Sequence, residues 1–238
     1  MGCIRRFFVS FIPKYVSNRF FLNVYQMLST IKVPRMVREK NYKLNLEQLC
    51  GMNSGLWNSP SVYIENQNEW KNIWFGAGRH HNMSYSGCEI IASFNACKAL
   101  RGFASPEQMA QLIYDYEMHG AALLGEFGTS PRAIEKYFRH KGFTVSTAYG
   151  EDFAEVDRIA SSYQVMIATV YNDKDDITKQ VHTVCITVVT GTRYVLHNAY
   201  LVNKEGTYVE SVPYKTVTDA VRHISRYEPK LIYLIGID

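Results

Sequence analysis

The hydrophobic period of this chain changes once, from helical in its middle third to strand-like in its last third. Apolar residues recur at helical spacing over Glu89–Leu100. Two later segments, Ser105-Pro106-Glu107-Gln108 and Gly128-Thr129-Ser130-Pro131, carry the polar residue and early proline that begin a helix. Short β-branched and aromatic segments follow, with one helix among them at about Val217–Ser225: Val165–Tyr171, Val181–Thr190, Tyr194–Tyr200, Thr207–Val212 and Leu231–Ile235. Helices first and strands afterwards predict an α+β fold, in which a helical lobe packs beside an antiparallel sheet.

The size and composition predict one globular unit. The chain has 238 residues, of which 47% are hydrophobic and 20% charged, and this composition excludes an intrinsically disordered protein. No apolar run approaches the roughly 18 residues that cross a bilayer. Residues 76–238 are predicted to form the main domain, and residues 1–75 a helical and irregular extension of it. A net charge of +4 is too mild to indicate a nucleic-acid partner.

The charge is concentrated at the N-terminus. Residues 1–50 carry nine basic residues against Glu39 and Glu47, a net charge of +7, which leaves −3 for the remainder. Such a segment, interleaved with aromatic residues, could contact an anionic membrane surface or an acidic partner. The favoured hypothesis is a helical extension whose Phe20, Val24 and Met27 are buried against the main domain while the basic side chains stay in water.

The five cysteines predict reduced thiols. Cys3, Cys50, Cys88, Cys97 and Cys185 are odd in number and widely spaced, without a disulfide framework or a CxxC pair. Free thiols are typical of a reducing compartment, and no convincing secretion signal opposes this interpretation. We therefore expect a cytoplasmic protein, with a membrane-peripheral location as the alternative.

One cysteine has the surroundings that a nucleophile needs. Cys88 follows Gly87 and begins a helix, where unpaired backbone N–H groups favour a thiolate. His182 lies at the start of a strand, and Asn198 lies at the end of the next strand. If the Gly191-Thr192 turn makes these strands a hairpin, an Asn198 carbonyl can accept the Nδ1–H of His182 and leave Nε2 toward the sulfur.

The order Cys…His…Asn, with the cysteine at a helix start, resembles the papain-like cysteine peptidases. It is most similar to the bacterial peptidases that remove double-glycine leader peptides from bacteriocins, and to their stand-alone relatives. The resembling residues run from about Asn82 to Tyr200 and include Cys88-Glu89-Ile90-Ile91-Ala92 and His182-Thr183-Val184-Cys185-Ile186. Two positions depart from the family pattern: Asn82 stands where the family has Gln, and Glu89 replaces a small Gly.

The resemblance implies a papain-like fold and a cysteine peptidase or amidase. Cys88 would be the nucleophile, His182 the general base and acid, and Asn198 the residue that orients the imidazole. Asn82 would complete an oxyanion hole with the backbone N–H of Cys88. A peptide or amide would be the substrate, and neither a cofactor nor a metal is expected. An acyltransferase on the same fold and a catalytically silent peptide-binding module are the alternatives, and the departures at Asn82 and Glu89 favour the silent module.

Overall fold

A computed structural model describes residues 15–52, 55–102, 104–172, 181–190, 193–224 and 231–238. The helices are α1 (Asn18–Leu28), α2 (Arg35–Gly51), α3 (Gly55–Asn58), α4 (Met83–Ser86), α5 (Cys88–Arg101), α6 (Pro106–His119), α7 (Pro131–His140), α8 (Phe153–Ser162) and α9 (Val217–Ile224). The strands are β1 (Val145–Tyr149), β2 (Val165–Tyr171), β3 (Val181–Val189), β4 (Arg193–His197), β5 (Leu201–Val202), β6 (Tyr208–Val209) and β7 (Leu231–Ile237). The α+β class is confirmed.

The main sheet has five strands in the order β1-β7-β2-β3-β4, and every neighbouring pair is antiparallel. The predicted pairing of the histidine strand with the strand before Asn198 is confirmed, since Cys185 of β3 lies opposite His197 of β4. The Gly191-Thr192 turn itself lies outside the described residues. β5 and β6 form a separate two-stranded ribbon.

Side chains alternate across the main sheet, and each face has its own apolar core. Ile167, Cys185 and Ile235 belong to the core on the side of α5 and the helical lobe. Ala168, Val184 and Leu234 belong to the core beneath α8 and α9. The sheet is therefore a middle layer, and α5 lies against β3 with the start of both elements at one end.

Local signals set the start of two helices. Ser105 and Gln108 form the predicted capping box of α6. Gly87 precedes Cys88 directly, and a side chain at Gly87 would meet the carbonyl oxygen of Met83 at 2.5 Å. A glycine is thus needed where α4 turns into α5, and this tight turn sets Cys88 at the first position of the helix.

The predicted burial of the N-terminal helix stripe is wrong. Leu22 and Tyr25 face the body of the protein, whereas Phe20, Val24 and Met27 are exposed. The 3.6-residue period explains the difference, because α1 carries two apolar faces on opposite sides and only one can contact the domain. The helical prediction holds for α1 and α2, while residues 1–14 lie outside the described residues.

Contacts cross the predicted domain boundary at residue 75. Asn41 donates to the carbonyl of Gly76 (3.0 Å) and to the carboxylate of Glu117. The backbone of Ile64 forms two hydrogen bonds with the side chain of Asn95 in α5, both of 3.0 Å. The extension is therefore packed on the helical lobe along its described length. Within the described chain, no helix combines the length and apolar character needed to cross a bilayer.

Candidate active site

A cleft of about 530 Å³ opens where α5 and β3 begin. Its walls are formed by Gln67, Asn68, Lys71, His80, Asn82, Ser84, Tyr85, Cys88, Asn172, Val181, His182 and Tyr200. Three of the four predicted site residues, Cys88, His182 and Asn82, line this cleft. The fourth, Asn198, contacts His182 from behind.

Cys88 lies at the start of α5 and is only 8% exposed. Burial raises the pKa of its thiol well above the ordinary value, and the neighbouring Glu89 carboxylate raises the thiol pKa further. A hydrogen bond from the backbone N–H of Thr183 lowers the thiol pKa, but by less than burial raises it. The thiol is therefore neutral at neutral pH, which differs from the stabilised thiolate that its position at the helix start predicts.

His182 is buried and held by one short hydrogen bond. Its Nε2 lies 2.8 Å from the backbone carbonyl oxygen of Asn198. A carbonyl can only accept, so Nε2 carries the hydrogen and Nδ1 of the neutral ring keeps the lone pair. Burial lowers the pKa of His182 from 6.5 to about 4, which makes the neutral ring the resting form. The aromatic ring of Tyr200 stacks on the imidazole, with centroids 4.9 Å apart.

The contact between His182 and Asn198 differs from its prediction in two details. The acceptor is the main-chain carbonyl of Asn198 rather than its side chain, and it holds Nε2 rather than Nδ1. The side-chain oxygen of Asn198 instead accepts the backbone N–H of Gln67 at 3.0 Å. Asn198 has a φ of 63°, a left-handed conformation that asparagine tolerates better than most residues. This conformation ends β4 at His197 and turns the carbonyl toward His182.

Glu65 forms hydrogen bonds with the segment His197–Asn198, whose carbonyl holds His182. Glu65 was not identified from the sequence. One oxygen of its carboxylate lies 2.7 Å from Nδ1 of His197, and the other accepts the backbone N–H of Asn198 at 2.8 Å. Both partners lie more than 130 residues further along the chain. Glu65 stands in an irregular segment without a local pattern, so no sequence signal could have identified it.

Gln67 connects three parts of the cleft wall. Its side-chain nitrogen donates to the carbonyl of Ser84, and its side-chain oxygen accepts from the hydroxyl of Tyr200, each at 3.2 Å. Its backbone N–H is the group that Asn198 accepts. The Glu65 and Gln67 contacts together fix the residues on both sides of the imidazole.

Asn82 is the N-cap of α4. Its side-chain oxygen accepts the backbone N–H of Tyr85 at 3.0 Å. The other end of the amide, the NH₂ group, forms no hydrogen bond with any described residue while the side chain lines the cleft. Capping thus leaves the donor end of Asn82 available in the cleft that Cys88 also lines.

Glu89 is a buried carboxyl group directly behind Cys88. It is 1% exposed, and one carboxylate oxygen accepts the backbone N–H of Thr129 at 3.3 Å. Gly128 allows this approach, since a side chain there would meet the same oxygen at 2.8 Å. Burial raises the pKa of Glu89 from 4.5 to about 7. Glu89 stands where the peptidases that the sequence resembles have a small Gly. It therefore places an ionisable group beside the thiol, and not only a larger side chain.

Replacing Glu89 by Gln is expected to stabilise the protein increasingly as the pH rises. A folded-state pKa above the unfolded value means that the native state binds the proton more tightly, so stability is lost as the pH passes from 4.5 through about 7. Gln cannot ionise, and the free energy of unfolding of Glu89→Gln relative to wild type should therefore rise by about 3 kcal/mol across this range. Urea unfolding at several pH values measures it.

The exposed Glu47 supplies the control for the Glu89 substitution, since Glu47→Gln removes the same charge from the protein surface. A difference between Glu89→Gln and wild type that stays constant with pH, as for a simple packing change, would contradict the assignment of a buried titrating carboxyl.

Among the described residues, one group of side chains offers metal-ligand atoms. Nδ1 of His197 and carboxylate oxygens of Glu65 and Glu210 lie within 4.8 Å of one another. The 2.7 Å contact between His197 and Glu65 is an ordinary charge-assisted hydrogen bond, and the side chain of Glu210 is 57% exposed. This cluster lies behind the cleft, and none of its members lines the cleft wall.

The arrangement places three groups around one cavity: a thiol, an imidazole whose Nδ1 has no hydrogen bond with a described residue, and an amide donor. No direct hydrogen bond between the Cys88 thiol and the His182 ring is present in the described part of the chain. When a ligand brings these groups together, the thiol can add to an electrophilic carbonyl while the neutral imidazole takes the thiol proton. No protein-family model, curated protein or solved structure matches this chain, so its chemistry has to be inferred from the cleft itself.

Proposed function

We propose that this chain is a papain-like cysteine hydrolase that cleaves a peptide or amide bond through an acyl-thioester on Cys88. The observation that carries the proposal is the fixed tautomer of His182. Its Nε2–H is donated to Asn198, its basic Nδ1 accepts from no described residue, and its side chain lines the same cleft as Cys88. A buried histidine that served packing alone would not need to share a cleft with a cysteine at a helix start.

In the proposed reaction, the sulfur of Cys88 attacks the substrate carbonyl while Nδ1 of His182 takes the thiol proton. The developing oxyanion is stabilised by the backbone N–H of Cys88 and the NH₂ group of Asn82. The C–N bond then breaks, and the imidazolium returns its proton to the leaving amine. Water, deprotonated by the same nitrogen, attacks the thioester and releases the acid and the free thiol.

The proton transfer is proposed to occur during attack and not before it. The raised pKa of the Cys88 thiol and the lowered pKa of His182 make the neutral pair the resting state. A preformed thiolate–imidazolium pair would require the opposite shifts. The substrate carbonyl therefore has to bind before the thiol gives up its proton, and Asn198 and Tyr200 hold the ring ready for that step.

The cleft wall supports a polar peptide or amide as substrate. Amide, hydroxyl and imidazole groups dominate it, and Lys71 is its one side chain of fixed charge among the described lining residues. Glu89 faces the thiol from behind and is not part of the wall.

A catalytically silent peptide-binding module is the second candidate, and the raised thiol pKa favours it. In such a module Cys88 would behave as a buried apolar residue, and Glu89 would hold the helix start through Thr129. The two candidates differ in what sets the rate at which Cys88 reacts with an electrophile. In a hydrolase the rate depends on the base His182, whereas in a binding module it depends on hydroxide concentration.

The decisive experiment measures alkylation of Cys88 by iodoacetamide in the full chain as a function of pH, with the label located by peptide mass spectrometry. A hydrolase should reach a rate plateau once His182 is neutral, above about pH 5. A silent module should show a rate that rises with hydroxide concentration throughout. The exposed Cys50 in the same sample reports an ordinary thiol. Turnover of peptide anilides, with and without an added amine, then separates hydrolysis from acyl transfer.

Replacing Asn82 by Asp is expected to lower turnover by about 10²-fold or more, because it removes an oxyanion donor. Aspartate is an equally good N-cap, so the thermal midpoint of unfolding should stay within a few degrees of wild type. Ser84→Ala, at another cleft position and without a role in the proposed reaction, is the control. Wild-type turnover in Asn82→Asp would show that backbone donors suffice and that Asn82 is only a cap.

A further inference from the structure

Helix α1 displays an exposed apolar stripe. Phe20, Val24 and Met27 recur at the i, i+4 and i+7 spacing of one helical face, and they are 61%, 37% and 62% exposed. These three residues are called the α1 stripe. Large hydrophobic side chains rarely cluster in this way on a surface that contacts water alone.

The opposite face of α1 fixes the stripe to the body of the protein. Leu22 is fully buried, the hydroxyl of Tyr25 donates to the carbonyl of Phe127, and the side-chain amide of Asn18 donates to the carbonyl of Leu231 at 3.2 Å. The stripe therefore belongs to a docked helix and points away from the domain. Ile31 and Met36 extend the exposed apolar surface just beyond the helix.

The sequence that carries the α1 stripe is basic, although the carboxylate of Glu151, from a later part of the chain, contacts Asn18 at the start of α1. The first acidic residue of the whole chain is Glu39, and seven basic residues precede it. Lys32 is exposed directly after Ile31. The residues after position 50 carry a net charge of −3, so the charge of the protein is polarised toward this end.

We propose that the α1 stripe lies on an anionic lipid surface and holds the domain there. An apolar helix face beside basic residues is the arrangement that inserts into the headgroup region of a bilayer, with phosphate groups around it. A protein partner of ordinary composition would not match the net charge of +7 that residues 1–50 carry. The negative remainder of the chain is repelled by anionic lipid, so only the α1 end contacts it.

The test is sedimentation of the full chain with vesicles of phosphatidylcholine alone and of equal parts phosphatidylglycerol and phosphatidylcholine. We expect binding to the anionic vesicles, weakened about tenfold or more by raising the salt concentration from low to high. The double variant Phe20→Ser/Met27→Ser should reduce binding by about tenfold or more. Both side chains are exposed, so the variant should keep the fold, which circular dichroism checks. Phe153→Ser is the matched control, since Phe153 is equally exposed on α8.

Each alternative outcome would overturn the proposal. Equal binding to both kinds of vesicle, or none to either, would exclude anionic lipid as the occupant. Concentration-dependent dimerisation that Phe20→Ser/Met27→Ser abolishes would assign the α1 stripe to a second copy of the chain. Binding that appears only after deletion of residues 1–14 would show that this segment covers the stripe. Equal loss in Phe153→Ser would show that the binding is unspecific.

Discussion

Alkylation of Cys88 by iodoacetamide at about pH 6 is expected to be slower by about 10²-fold or more in His182→Gln than in wild type. At this pH the imidazole is neutral, since its pKa is lowered to about 4, and Nδ1 can accept the thiol proton. Glutamine can still donate an N–H to the carbonyl of Asn198 and fill much of the same space. It has no basic nitrogen, however, so the substitution removes the base with little other change.

His80→Gln is the matched control for the loss of the base. His80 lines the same cleft but is exposed, and it stacks on Tyr85 with ring centroids 4.2 Å apart. Its replacement should leave Cys88 alkylation within about twofold of wild type, because a stacked rim histidine has no role in the proposed proton transfer. If His182→Gln reacts as fast as wild type, the thiol is not activated by His182 and the silent binding module becomes the better hypothesis.

The elements that could be predicted from the sequence are those with strong local signals. Helix α5 has an apolar period and begins after Gly87, and α6 has a complete capping box at Ser105. Strands β2, β3 and β7 are rich in β-branched and other apolar residues and lack a strict alternation, since both of their faces are buried. Each signal lies within a few residues of the element that it specifies.

Other elements were missed or misjudged because their signals are weak or depend on distant contacts. β1 is a five-residue strand of mixed polarity, and the helix α8 after it begins with an exposed Phe153, so neither was predicted. The predicted strand Tyr194–Tyr200 ends early, because Asn198 and Tyr200 adopt left-handed backbone conformations. Those conformations are imposed by tertiary contacts at the site and have no local sequence pattern.

The candidate site likewise has features that the sequence predicts and features that depend on tertiary contacts. Cys88, His182 and Asn198 could be selected because their residue types and order carry a recognisable pattern. The atoms through which these residues interact could not be predicted. The hydrogen bond to the Asn198 carbonyl depends on a backbone turn, and Glu65 and Gln67 fix that turn from a segment distant in sequence. Likewise, α1 offers two apolar faces, and only tertiary packing decides that Leu22 is buried and Phe20 exposed.

Replacing Glu65 by Ala is expected to lower the free energy of unfolding by about 3 kcal/mol or more. The substitution leaves the buried Nδ1 of His197 and the backbone N–H of Asn198 without their acceptor. It also frees the segment whose carbonyl holds His182, so Cys88 alkylation at about pH 6 should fall toward the rate of His182→Gln. Urea unfolding and iodoacetamide labelling of the full chain measure the two effects.

Glu69→Ala is the matched control, because Glu69 lies in the same segment but is exposed and, among the described residues, its side chain accepts only from Asn66. It should change the free energy of unfolding by less than about 0.5 kcal/mol. If Glu65→Ala does not fold, Glu65→Gln keeps one acceptor oxygen and the side-chain volume, and it tests the positioning role alone. Loss of stability with unchanged Cys88 reactivity would assign Glu65 a structural role only. Reduced reactivity in folded Glu65→Gln would instead mean that the orientation of His182 depends on a carboxylate that forms no hydrogen bond with the Cys88 thiol or the His182 ring.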